Sequence, residues 1–375
     1  MSPEHAALRD AVRDFAQSVV KPAAAAVDRD HRFPTEAIQG ARDLDLLGIL
    51  VPEQYGGAGL DHLAFTLCIE ELAVACASTA VIVDVHNSVA CEPILLFGTE
   101  EQKQRWLPAM VRGEVLGAFA LTEPGSGSDA AALKTSARRY GDEYVLSGTK
   151  VFITNVGHAG MYIVFARTGG ADKAAGVSAF IVPADSSGLR VGQVFKKMGL
   201  HGSPTGELVL EEVRVPAANL LHAEGKGFQV AMRALDSGRI GISGQALGIA
   251  QAALGEALEY TKERHQFGQP VATFQGVGFM LADLSTQLAA ARLLTYHAAV
   301  LCAAGKPFTR EASMAKLFAT DAAMAIATDC VQLAGGYGYV SDYPFERHFR
   351  DAKALQIYEG SNQIQRVVIA RELLR

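Results

Sequence analysis

Leu121-Thr122-Glu123-Pro124-Gly125-Ser126-Gly127-Ser128-Asp129-Ala130 is the stretch on which the fold turns. Gly125, Gly127 and Ala130 match the GxGxxA fingerprint of a dinucleotide-binding turn, which would make the chain a doubly wound α/β protein. That fingerprint needs a strand before it, a helix after it and an acid about 20 residues further on, inside a βαβ unit. Here the following segment, Leu133 to Arg138, reads as a strand, and βαβ alternation occurs nowhere in the chain. The dinucleotide reading is rejected. Part of its chemistry survives, because small residues let backbone N–H groups approach an anion and Ser128 adds a hydroxyl donor. A polar hairpin loop is the plainer reading of the same residues.

Working outward, residues 116 to 220 carry short β-branched and aromatic runs. They are Tyr144-Val145-Leu146, Val151 to Thr154, Tyr162 to Phe165, Ala179 to Val182 and Leu208 to Leu210, with frequent turns such as Gly141-Asp142, Gly169-Gly170 and Asp185-Ser186. That pattern predicts an antiparallel sheet or small barrel. Both flanks are helical. Before it, Leu8, Val12, Phe15 and Val19 share one helix face closed by Pro22, Asp61 can cap a helix, and Thr99 with Gln102 forms a capping box. After it, long helical stretches run from Phe228 to Arg264, Phe274 to Ala304 and Phe308 to Leu333. The expectation is an α+β multidomain protein: a helical domain over 1–115, a β domain over 116–220 and a helical domain over 221–375.

Composition excludes several classes. The chain has 375 residues, 49% of them hydrophobic, so it can bury a large core. Its net charge is −6 and no Lys/Arg run exceeds a pair, which argues against nucleic acid or an anionic membrane as partner. No apolar run is expected to span a bilayer, and Glu4, His5, Arg9 and Asp10 do not suit a signal peptide. Five scattered cysteines without CxxC pairing read as buried thiols of a reducing cytoplasm. Ten histidines show no ligand spacing, so no metal is expected.

Chemistry concentrates in four helical-domain features. Asp236 and Arg239 lie three apart on one helix face, where a local salt bridge is the simple reading. Arg264-His265-Gln266-Phe267-Gly268 ends a helix with a cation and an aromatic, and Gln332 to Gly338 is either a helix stop or a close backbone approach to a ligand. Ile357-Tyr358-Glu359-Gly360-Ser361 places an acid on an apolar approach, in a turn permitted by Gly360, just before a helix N-capped by Ser361. Desolvation by Ile357 and Tyr358 would raise the Glu359 pKa, as suits a base working near neutrality. Glu92, beside Cys91 and Pro93 in an apolar helix, either faces solvent or lines a pocket.

These pieces, in this order and over essentially the whole chain, resemble the acyl-CoA dehydrogenase family, and within it the short-chain (butyryl-type) members through Leu235 to Ile242 and Gln245 to Gln251. The resemblance implies a C-terminal four-helix bundle and an FAD enzyme that removes two hydrogens across the α and β carbons of an acyl thioester, with Glu359 as base. It implies that Thr122 and Thr154 bond the flavin ring, that Ser128 meets the pyrophosphate and that Phe152 stacks where many members carry Trp. Arg264, Phe267, Gln275, Gln332 and Gly336 match residues that reach the FAD of a neighbouring subunit, which implies a homo-oligomer, a tetramer. Ser361 and Gln363 follow the base on the cofactor side. Ser203, Asp236, Arg239 and Gly360 match substrate positions. Some members carry their base at the position of Gly238, so here Glu359 must serve. The implied acceptor is an electron-transfer flavoprotein, and the implied compartment is the cytoplasm. Glu92 is expected to border the acyl pocket and disfavour long chains. A dehydrogenase or oxidase of carrier-protein thioesters, and a non-catalytic flavin- or acyl-binding module, stand as alternatives.

Overall fold

A computed structural model describes residues 1–169 and 174–375, so Gly170 of the expected Gly169-Gly170 turn lies outside the described residues. The chain opens with α1 (Pro3–Phe15) and α2 (Lys21–Arg29), joined without a break by a π-turn over Ala16–Val20. Pro22 therefore does not close the first helix. It sits in the first turn of α2, directly after the π-turn, inside a helix that continues past it. The wider π-turn also rotates the apolar face, so Val20 is buried and Val19 is exposed, the reverse of what unbroken 3.6-residue spacing predicts.

Next come α3 (Thr35–Asp43), α4 (His62–Ala75) and α5 (Ala77–Val85), then a second π-turn over His86–Cys91 that leads into α6 (Glu92–Phe97). Asp61 caps α4 by accepting from the Ala64 N–H, and α7 (Glu100–Val111) carries the expected Thr99/Gln102 capping box. Between α4 and α5, Cys76 is extended, which turns the chain so that α5 drops into the interior.

The middle region forms one eight-stranded sheet from β1 (Gly117–Ala120), β2 (Ser136–Tyr140), β3 (Glu143–Thr154), β4 (Met161–Arg167), β5 (Val177–Pro183), β6 (Leu189–Val194), β7 (Thr205–Pro216) and β8 (Leu220–Leu221). The order is β6-β7-β3-β2-β4-β5-β8, with β1 beside β4. Most pairings are antiparallel as expected. β1–β4 is parallel, because the β2–β3 hairpin lies between them in sequence, and β2 touches β4 in parallel through Ser136 and Arg167. Leu133 to Thr135 precede β2 rather than belonging to it. Alternate residues of β3, β4, β5 and β7 close one face over Tyr144, Leu146, Val164, Phe180 and Val213.

From residue 227 the chain is helical: α8 (Gly227–Glu263), α9 (Gln275–Ala303), α10 (Thr309–Ala334), α11 (Phe345–Leu355) and α12 (Asn362–Leu373). α8 is the central post. It packs on α10, α4, α9, α11 and α5, and its middle, from Asp236 to Ala250, is buried without interruption. Glycines at 241, 244 and 248 permit that approach: a Cβ on Gly248 would lie 2.3 Å from the Glu70 carbonyl of α4.

Three helical segments, Ala77–Phe97, Gln275–Ala303 and Thr309–Gly338, are long and apolar enough to cross a bilayer by length and composition, which corrects the expectation of none. Ala77–Phe97 owes its apolarity to burial inside the protein. α9 does not: Phe279, Leu293 and Val300 on it are exposed.

Candidate active site

The stretch opened on above is held from beneath by an ion pair that the sequence did not reveal. Lys150 of β3, fully buried, donates to the Leu121 carbonyl and at 2.8 Å to Glu123 Oε1. Glu123 also accepts from the N–H groups of Lys134 and Thr135. Burial pulls Lys150 down to about 8 while Glu123 opposes that, and the cation and backbone donors hold Glu123 below the usual carboxylate range despite its burial. With its root fixed, the loop exposes Gly125, Gly127 and Ser128, and a Cβ on either glycine would meet nothing within 4 Å. It is an open cradle.

Beside it, the Val151 N–H donates to the Thr122 carbonyl, so Thr122 and the Phe152-to-Thr154 end of β3 are neighbours. β3 is irregular there, with a register shift against β7 between Lys150 and Ile153, and Phe152 adopts φ +59°. The bulge turns the Phe152 ring outward, 66% exposed and 5.1 Å from the Phe195 ring. Asn155, three residues on and also left-handed, reaches from the strand end to the Ile82 carbonyl of α5. This bond ties the Thr122–Thr154 edge to the helix that leads into the acid site.

Glu359 occupies the turn between α11 and α12, left-handed at φ +51°, followed by Gly360 at φ +86°. The helix after it does begin as expected, with Ser361 at the N-cap, but the Ser361 hydroxyl makes no capping bond. The turn is held instead through the Gly360 carbonyl, which accepts from Lys316 Nζ at 2.9 Å and Gln365 Nε2 at 2.8 Å. Lys316 is buried, reaches Asn362 as well, and is pulled down to about 7 by that burial. Gln363, one position on, is exposed.

The Glu359 side chain runs to α8, where a Cβ on Gly238 would lie 2.2 Å from Oε2 and 3.1 Å from a Val89 methyl. No ion pair reaches its carboxylate, and Oε2 is buried without a hydrogen bond among the described residues. Desolvation raises its pKa to about 7, and Arg239 and Lys316 oppose the rise only from a distance. Tyr358 closes the other side and donates to Gln245 Oε1. An acid at this pKa, strained and without an ion pair among the described residues, is equipped to take a proton near neutrality.

Asp236 and Arg239 do form the local pair, at 2.6 Å, and Thr309 donates to the other Asp236 oxygen. Arg239 Nε is left buried without a partner among the described residues, on the residue that follows Gly238. Ser203 is buried elsewhere, in the β6–β7 connection, where its carbonyl accepts from Lys197. No hydrogen bond joins Ser203 to the Asp236–Arg239 pair among the described residues.

Glu92 departs from expectation. It is 3% exposed, which rules out a solvent-facing charge, and its Oε1 accepts from Arg233 at 3.0 Å and pairs with His62 at 3.3 Å. Burial would lift the Glu92 pKa, but these cations bring it below the usual range, and the same cluster raises His62 to about 10. Oε1 is committed to ion pairs, while Oε2 is buried without a hydrogen bond among the described residues.

Arg264, Phe267, Gln332 and Gly336 gather in one groove of about 940 Å³ with Tyr260, Phe274 and Tyr337. Gln275 begins α9 beside that groove without lining it. Phe267, left-handed at φ +53°, is 93% exposed, and the Arg264 guanidinium stands 5.6 Å from the Tyr337 ring centre. No hydrogen bond or ring contact joins this groove to Thr122, Ser128, Phe152 or Thr154 within the described chain.

Against known proteins, three family models match in order: the acyl-CoA dehydrogenase N-terminal domain over residues 2–114, the middle domain over 118–213 and the C-terminal domain over 225–374. An acyl-CoA dehydrogenase of Bacillus subtilis (strain 168) is 51% identical over 374 residues, covering 100% of this chain and 99% of the relative. The solved butyryl-CoA dehydrogenase of Megasphaera elsdenii matches at TM-score 0.98 and 44% identity, covering 100% and 99% of the two chains. A chain solved in work on the electron transferring flavoprotein of Acidaminococcus fermentans matches at TM-score 0.99 and 46% identity, again covering 100% and 99%. The three-domain fold, the matched models and the identity across the full length agree: this chain belongs to the acyl-CoA dehydrogenase family.

Proposed function

We propose that the chain dehydrogenates a short acyl-CoA thioester between its α and β carbons, with Glu359 removing the α-proton. The observation that carries this reading is the Glu359 carboxylate itself: buried against Gly238, without an ion pair, and raised to about 7. An α-hydrogen of a thioester is weakly acidic, so the chain must supply a base of matched proton affinity and a donor for the carbonyl oxygen. The left-handed turn at Glu359 leaves its own backbone N–H as that donor. Arg239 and Lys316, within electrostatic reach but not bonded to it, keep the base partly ionised without neutralising it.

The exposed cradle of Gly125, Gly127 and Ser128, the outward ring of Phe152 and the hydroxyls of Thr122 and Thr154 fit FAD. Bound FAD supplies the hydride acceptor for the β-carbon. The groove of Arg264, Phe267, Gln332 and Gly336, with Gln275 at its edge, would hold the distal part of a second subunit's FAD, and Ser361 and Gln363 lie at the near end of α12. Ser203, Asp236, Arg239 and Gly360 are assigned to the substrate side. The exposed apolar residues of α9, Phe279, Leu293 and Val300, support burial against further copies of the chain in a homotetramer. An electron-transfer flavoprotein is the acceptor, and the five free thiols support a cytoplasmic setting.

The test is anaerobic. Purified protein is expected to be yellow, and butyryl-CoA is expected to bleach the oxidised flavin promptly and yield the trans-2-enoyl thioester. A yellow protein that no acyl-CoA bleaches overturns the reading.

A further inference from the structure

A second acid shares the wall that Glu359 occupies, and nothing above uses it. Asp84 lies on α5, fully buried. Its Oδ1 accepts from the Ser88 hydroxyl at 2.9 Å, while Oδ2 is buried with no hydrogen bond among the described residues. α8 makes room for it as it does for Glu359: a Cβ on Gly241 would lie 2.0 Å from Asp84 Oδ1, as one on Gly238 would lie 2.2 Å from Glu359 Oε2. The two glycines are three residues apart, so the two carboxyl groups meet the same face of α8 about 4.5 Å apart along its axis. Val89, which touches the Gly238 position, follows Asp84 by little more than one turn.

We propose that Asp84 is a specificity-determining residue of the acyl pocket, whose free Oδ2 binds an oxygen carried by the acyl chain beyond its β-carbon, so that the preferred substrate is a short hydroxyacyl thioester. The inference rests on the dehydrogenation reading, since it places the α-carbon at Glu359. From an α-carbon there, an oxygen on the γ-carbon is three single bonds away, about 4 Å at about 1.5 Å per bond. That span matches the offset between the two carboxyl groups. Both burial and the neighbouring Glu359 charge push the Asp84 pKa well up, so the neutral acid offers an O–H donor. A buried donor left unpaired by a plain alkyl chain penalises that chain, and a site built to bond a hydroxyl rejects the analogue that lacks it.

The test compares two isosteric thioesters, 4-hydroxybutyryl-CoA and pentanoyl-CoA, with butyryl-CoA as reference, by anaerobic flavin reduction. Wild type is expected to favour 4-hydroxybutyryl-CoA over pentanoyl-CoA by tenfold or more in kcat/KM. Asp84→Val is expected to reverse that preference, and Asp84→Asn, which keeps an N–H donor in place, to retain it. Equal use of the two thioesters by wild type, or a wild-type ratio in Asp84→Val, overturns this inference and leaves dehydrogenation standing. Bleaching by none of the three overturns both. If Asp84→Val fails to fold, the wild-type ratio and the Asp84→Asn ratio still decide.

Discussion

Glu92 and Glu359 both turn their carboxylates to α8, the first at Arg233 and the second at Gly238, five positions on, and they have opposite fates. Glu92 has Arg233 and His62 within ion-pairing distance and stays ionised below the usual carboxylate range. Glu359 has no cation in contact, and burial carries it to about 7. The difference lies in the neighbours, since Glu92 is the more deeply buried of the two and yet it is the half-buried Glu359, closed off at Oε2, whose proton affinity rises. A buried acid given partners becomes structure, while one denied partners keeps a proton affinity it can use.

The largest test of that contrast is Glu359→Gln. The amide keeps the size and leaves the α8 contact in place but cannot accept the α-proton. Flavin reduction by butyryl-CoA is expected to fall by several orders of magnitude while FAD stays bound. Stopped-flow reduction alongside the visible spectrum checks both parts, and retained reduction would remove Glu359 as base. The pH profile sharpens the same point. A base at about 7 must be ionised to act, so the reduction rate of the wild type should rise roughly tenfold per pH unit below about 7 and level off above it. A limb at the ordinary carboxylate value would show that the acid is solvated.

Glu92 should fail differently. In Glu92→Gln, His62 and Arg233 lose the carboxylate that compensates their burial, and a cost of about 3–5 kcal/mol in stability is expected, with reduction kinetics nearly unchanged in the protein that remains folded. The sign with pH follows from the two shifts. Glu92 is lowered, so its contribution is present above the unfolded carboxylate value and is lost as pH falls through the folded one. His62 is raised to about 10, so its contribution is whole below its unfolded value of 6.5 and is lost as pH rises through about 10. Chemical denaturation of wild type and variant should therefore differ most between about pH 5 and 6.5.

Much of this was legible in the residues. The switch from helical spacing to short β runs and back, the capping box at Thr99 and the rejection of GxGxxA all follow from local chemistry, and the structure has helices, sheet and helices in that order. The raised proton affinity of Glu359 was expected, but only partly for the right reason: Ile357 is 61% exposed and shields nothing, and the carboxylate is closed off at Gly238 of α8 instead. What sequence could not show is pairing across space. Lys150 meets Glu123 across 27 positions, Arg233 meets Glu92 across 141, and Lys316 meets Gly360 across 44. No local pattern distinguishes Glu92, which found partners, from Glu359, which did not. The π-turn at Ala16–Val20 was missed for a related reason: one extra residue in a turn leaves no composition signal yet exchanges Val19 for Val20 in the core. One signal was available and unused. Phe152, Phe267 and Glu359 are three of the non-glycine residues held left-handed, and two of them directly precede a glycine.

The smallest effect expected is in stability, and there the two acids should part in sign. A group whose folded pKa lies above its unfolded value loses stability as pH rises between the two. For Glu359 that window runs from the ordinary carboxyl value of 4.5 to about 7. Above it, the folded chain holds an ionised acid that burial disfavours, at a cost of about 2–3 kcal/mol. Glu359→Gln removes the charge and should raise the denaturation midpoint at pH 8, with little change at pH 5. Glu92→Gln lowers it at both. Should Glu359→Gln lose stability at pH 8 as Glu92→Gln does, Arg239 and Lys316 would have been true partners of the base. Its proton affinity would then need another source than the lack of a cation in contact.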